Sequence, residues 1–98
     1  MGIVNVVIGP VTTVAHGGRV FQMQFRSAEN VTTSGVSAAT TGTAKAGDVA
    51  RVKAITGACY VGEPDEPAVS GAGWYLDQGD VLDLGGLREG DTVNVIEA

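Results

Sequence analysis

The chain has one cysteine and one histidine in 98 residues. A single Cys rules out an internal disulfide, and one Cys with one His cannot make a structural zinc site. Aromatics are scarce: Phe21, Phe25, Tyr60, Trp74 and Tyr75 are the full set. Long apolar runs are missing, so no segment has the length of a membrane-spanning helix. The start has no basic stretch ahead of an apolar one, and Pro10 ends the first apolar run, so no secretory signal is read there. No window sustains apolar residues at i, i+3, i+4 and i+7 with helix caps, so no helix is expected. These readings place the protein in a reducing cytoplasm, or freed from one by lysis. Phosphate-binding glycine loops are also lacking: the glycines follow neither GxxxxGK[ST] nor GxGxxG.

Basic charge is short as well. Six Lys and Arg face eleven Asp and Glu, for a net charge of −5, which argues against general nucleic-acid binding. The two halves differ. Residues 1–57 hold five basic and two acidic groups, net +3; residues 58–98 hold Arg88 against nine acids, net −8. Such a split suits head-to-tail contact between copies, or is a chance difference between solvated faces.

What the chain does have is fifteen glycines and nine threonines, set as punctuation between short apolar runs. That pattern predicts one all-β domain, an antiparallel β-sandwich or jelly-roll-like barrel of about seven or eight short strands. Residues 3–8 are β-branched except Asn5 and apolar on both faces. They read as a strand that wants cover on both sides, or as an N-terminal arm (residues 1–17) ahead of a sandwich over residues 18–98. Val11 to Ala15 continue as a second short strand before a His16-Gly-Gly turn. Residues 19–26 alternate, with Phe21, Met23 and Phe25 expected in the core and Gln22, Gln24 and Arg26 outside. The small, polar stretch 27–47 predicts one edge strand near residues 31–38 and then a loop, with disorder as the alternative. In residues 49–55, Ala50, Val52 and Ala54 should face inward, opposite Arg51 and Lys53. Residues 58–62 should be their hairpin partner, with Cys59 a small buried hydrophobe. The segment Glu63-Pro-Asp-Glu-Pro67 cannot join a central ladder. Val69 starts another short strand, and residues 74–98 close the core with three strands set off by Gly79-Asp80, Gly85-Gly86 and Gly90-Asp91.

Reactive constellations were sought residue by residue. His16 has no fixed acid or nucleophile beside it, and nothing in the spacing assembles it with Ser27, Ser34, Ser37 or Ser70 into a triad. Asp77, Asp80 and Asp83, with Asp91, form an oxygen-rich set that matches no EF-hand loop, so turn and surface roles are preferred to Ca²⁺ binding. Asn30-Val-Thr matches a glycosylation triplet only in form. The five aromatics read as core and sheet-face residues rather than a sugar- or base-stacking surface. Arg26, Arg51 and Lys53 lie on outward strand faces, as a basic stripe or as plain solvated positions. No catalytic residue, cofactor or metal ligand is assigned.

A run of short motifs has a familiar order: Thr32-Thr-Ser-Gly-Val-Ser-Ala38, Val49-Ala-Arg-Val-Lys53, Cys59-Tyr-Val-Gly-Glu-Pro64, Trp74-Tyr-Leu76 and Gly90-Asp-Thr-Val-Asn-Val-Ile96. Over residues 31–98 the chain resembles small all-β virion structural proteins of tailed bacteriophages, of the head-decoration (cement) type. The resemblance implies a non-enzymatic protein, made in the host cytoplasm and carried on the outer capsid surface. It implies the major capsid protein as partner, self-association as a homotrimer, and neither nucleic acid nor membrane as target. On this reading Ile3, Val4, Val6, Val7 and Ile8 form a docking arm that adds a strand to a capsid subunit. Arg26, Arg51 and Lys53 complete the contact. A tail-tip or host-receptor module binding glycan through aromatics near Trp74 is the other expectation.

Overall fold

The structure is a computed structural model that describes residues 2–13, 19–21 and 25–98. Among these residues there are ten strands and no helix: β1 (Ile3–Gly9), β2 (Val11–Thr13), β3 (Arg19–Phe21), β4 (Ser27–Thr32), β5 (Ala38–Ala39), β6 (Val49–Thr56), β7 (Cys59–Val61), β8 (Trp74–Leu76), β9 (Val81–Leu84) and β10 (Asn94–Glu97). Eight of them build two four-stranded sheets, in the orders β4-β1-β6-β9 and β5-β10-β7-β8. Every pairing is antiparallel, and the fold is a β-sandwich. Strands β2 and β3 form a separate two-stranded ribbon, with Val11 opposite Phe21.

Period-two alternation explains the first sheet. Val4, Val6 and Ile8 of β1 stand opposite Ala54, Val52 and Ala50 of β6, and these six side chains face the interior. Leu84 of β9 extends the row beside Ala50, and Val31 of β4 lies beside Val4. The second sheet contributes Cys59, Val61, Leu76 and Val95, and the loops add Ala44, Leu87 and Val93. This core is aliphatic. Phe25, Trp74 and Tyr75, expected in the core or on a sheet face, are 58 %, 42 % and 53 % exposed, so these three stand largely outside it.

The position of β1 corrects the arm expectation. Both of its edges are taken, by β4 and by β6, so it has no free edge to lend to another protein. Val4, Val6 and Ile8 are no more than 1 % exposed. Nor does a domain boundary fall after residue 17, because the neighbours of β1 come from beyond it. Apolar side chains on both faces reflected a central strand rather than a free one.

Other local expectations shift. Of the expected strand 19–26 the described residues show β3 and, at Phe25 and Arg26, no strand, and β4 begins at Ser27; Gln22, Met23 and Gln24, like His16, lie outside the described residues. Segment 27–47 is ordered, although its edge strand ends at Thr32. Strand β7 does not pair with β6. At Gly57 (φ +75°) the chain crosses to the second sheet, where β7 lies between β10 and β8. Val69 belongs to a loop and is 60 % exposed. The acidic segment 63–67 lies outside both sheets, and the alternation in β6 and the burial of Cys59 are as read.

Three turns repeat one geometry. In Lys45-Ala-Gly-Asp48, Asp77-Gln-Gly-Asp80 and Arg88-Glu-Gly-Asp91, the Asp N–H donates to the carbonyl three residues back, at 3.0, 3.0 and 3.1 Å. The Asp carboxylate accepts the N–H of that same residue, at 3.0, 3.0 and 2.8 Å. The glycines sit at φ +86°, +93° and +87°, where a residue without Cβ costs nothing. The first and third turns also clasp each other. Leu87 N–H donates to Asp48 O and Ala44 N–H to Asp91 O, while Gly47 N–H donates to Leu87 O and Gly90 N–H to Ala44 O. The clasp is two-fold in pattern, and it seats Ala44 and Leu87 in the core.

Candidate functional site

The outer face of the first sheet carries no covering element among the described residues. Its rows follow from the register. Ala28, Val7, Arg51 and Asp83 line up across β4, β1, β6 and β9, and Asn30, Asn5, Lys53 and Val81 form the next row. Asn5 Nδ2 donates to Asn30 Oδ1 at 3.0 Å. Arg51 binds Asp83 in a two-pronged pair, Nε to Oδ1 at 2.9 Å and the terminal nitrogen to Oδ2 at 3.1 Å. That bond raises the Arg51 guanidinium's already high pKa. Ile3, Ile55 and Val81 are 40 %, 43 % and 52 % exposed on or beside this face. No carboxylate among the described residues lies within ion-pair reach of Lys53. Among the described residues the face is therefore a small-residue, partly apolar surface on which Lys53 is the one positive charge without a counter-ion, on a chain of net −5.

The eight residues expected at an interface thus separate. Ile3, Val7 and Lys53 come together on this face, with Arg51 committed to Asp83. Val4, Val6 and Ile8 are core. Arg26, just ahead of β4, turns to Asp48: Nε lies 2.6 Å from Oδ2 and the terminal nitrogen 3.0 Å from Oδ1. Asp48 is buried, and its carboxyl sits below the ordinary range. The Arg26 hydrogen bond drives that shift against the opposing effect of burial, and the Lys45 N–H adds to it. Arg26 is therefore a structural tie rather than part of a basic stripe.

The second sheet carries the aromatic surface. Tyr60 of β7 and Tyr75 of β8 are cross-strand neighbours, with ring centroids 5.3 Å apart at 63°, an edge-to-face pair. The negative charge of Asp77, reinforced by burial and by Tyr60, Asp80 and Cys59, raises the Tyr75 phenol above its usual pKa. Trp74, next to it on the edge strand, is the partner of Val61 and so projects to the other face of the sheet. Burial pushes the Cys59 thiol up, which keeps it protonated and unreactive.

Asp80 and Asp91 hold turns and Asp83 holds Arg51 across strands, so these three carboxylates are spent on structure. Among the described residues no three His, Cys, Asp or Glu side chains are placed to hold a metal ion. No helix among them is long and apolar enough to cross a membrane. Sequence reasoning missed Glu29, which receives three short hydrogen bonds from residues 41 and 42. No local signal marks it, because its partners lie twelve and thirteen residues away. Among the described residues, fold and surface define an antiparallel β-sandwich with one weakly basic sheet face that no other element covers. Comparison with protein-family models, with curated proteins and with solved structures finds no match to this chain.

Proposed function

We propose that this protein is a non-enzymatic virion component of the head-decoration type, which binds the outer surface of a bacteriophage capsid and stabilises the shell. The order of motifs over residues 31–98 suggests the class, and the uncovered face of the first sheet carries the reading. The residues on offer there are small: Ala28, Asn30, Asn5 and Val7. An open sheet face of small residues suits contact with another protein surface better than capture of a small molecule, which needs a concave site. Lys53 selects an acidic patch on the capsid protein, and Ile3, Ile55 and Val81 supply the apolar contact around it. One such face binds weakly. Copies joined as a trimer and spread over a lattice gain by multivalency.

The test is the number of copies per purified particle relative to the major capsid protein. Hundreds of copies support decoration; a handful or none overturns it. A second reading, a tail-tip module binding host glycan, is favoured by the exposure of Trp74 and Tyr75. Binding of the isolated protein to a glycan array, lost in Trp74→Ala, would select it.

A further inference from the structure

Residues 40–44 run along the flank where β4 and β5 lie side by side. Backbone fastens them toward residues 91–93. Thr40 N–H donates to Val93 O at 2.9 Å, Ala44 N–H to Asp91 O at 2.9 Å, and Val93 N–H to Thr40 Oγ1 at 3.2 Å. Toward β4 the polar fastening is a single side chain. The Glu29 carboxylate accepts Thr41 N–H at 2.9 Å, Gly42 N–H at 3.0 Å and the Thr41 hydroxyl at 3.1 Å, with the Ser27 hydroxyl at 3.5 Å. Gly42 is pressed against Ser27 so closely that a Cβ would collide with its side chain.

We propose that residues 40–44 are a strap, latched to β4 by the Glu29 carboxylate, which opens locally in acid before the sandwich unfolds. The ionised carboxylate can accept all of these donors; a protonated one must turn one oxygen into a donor and loses part of the set. Burial of Glu29 opposes its charge, but the bonds from Thr41, Gly42 and Ser27 outweigh it and hold the pKa below the ordinary 4.5. A group with a depressed folded-state pKa contributes stability above its unfolded value and loses it as pH falls through the folded value. The latch is thus closed at neutral pH and fails in acid, as pH falls through the depressed folded-state value. The charged groups around it are Arg26, Lys45 and Glu89, which line an adjoining groove of about 510 Å³, and Asp48 behind Arg26. Thr41 and Gly42 line that groove, so their release widens it, while Thr40 and Ala44 stay fastened to residues 90–93.

Amide hydrogen exchange by NMR between pH 7 and 3.5 reads this directly, as protection factors corrected for intrinsic rates. Thr41 and Gly42 should lose protection by about tenfold or more in acid, the weight of one charge-assisted hydrogen bond. Val6 in β1 and Val52 in β6 should stay protected. In Glu29→Gln, Thr41 and Gly42 should already exchange fast at pH 7, with no further acid response. The proposal falls if Thr41 and Gly42 lose protection only together with Val6 and Val52, or if Glu29→Gln retains wild-type protection. Should that variant not fold, the wild-type pH series decides alone.

Discussion

Gly47, Gly79 and Gly90 each hold a positive φ with open space where a Cβ would go. A side chain there meets no neighbour, so its cost is conformational, about 1–2 kcal/mol. Each Gly→Ala change should lower the urea midpoint by a similar amount and leave the slope unchanged, since the three turns share one geometry. Asp48 gives a pH signature. Its folded pKa is depressed by Arg26 and Lys45, so its contribution is complete above the ordinary value of 3.8 and is lost as pH falls through the lower folded value. Urea midpoints should stay flat from pH 7 to 5 and then drop in acid, and Asp48→Asn should lower the plateau and flatten the drop. The buried Cys59 thiol, raised by its surroundings, should not react with a thiol reagent until the protein unfolds. These residues were legible as types: Gly-Asp as a turn, Cys59 as a hydrophobe. Glu29 and the Arg26–Asp48 tie were not, because both depend on distant residues.

At the scale of the element, β1 controls the fold. It pairs along its length with two strands and supplies three of the most deeply buried side chains. Removing residues 2–9 should abolish cooperative unfolding altogether, seen as loss of the sigmoidal denaturation curve. Val6→Ala should cost about 2 kcal/mol or more, from lost burial and the cavity left between the sheets. The apolar run made β1 legible as a strand. Whether it was central or a free arm was not legible, since that depends on which strands reach its edges. Strand β6 was read more fully because small and charged residues alternate along it, and the structure keeps Ala50, Val52 and Ala54 inside. The pairing of β7 was misread. A glycine between two strands looks the same whether the chain turns back in one sheet or crosses to the other, and Gly57 does the second.

At the scale of the whole molecule, charge and surface decide what the protein meets. Arg26 is tied to Asp48 within the first half and Arg51 to Asp83 of the second, which leaves Lys53 prominent on the sheet face. Lys53→Glu should therefore reduce particle binding by an order of magnitude or more while leaving the melting temperature within about a degree, because the side chain is exposed and makes no ion pair among the described residues. Binding should also weaken with added salt if an acidic patch is the partner. Co-sedimentation with capsids at two ionic strengths measures both.

The sequence by itself determined the class of fold. Period-two alternation, glycine-rich punctuation and the lack of helical spacing admit an antiparallel all-β domain and little else. It also determined the turns, since Gly-Asp chemistry acts within four residues. Tertiary structure alone decided which strands share a sheet, which charges neutralise each other and which apolar residues stay outside. Those outcomes come from contacts between segments far apart in the chain, such as Arg26 with Asp48 and Arg51 with Asp83. Whether an exposed-looking arginine is free or bound is settled when a distant carboxylate arrives beside it, and local pattern carries no record of that meeting.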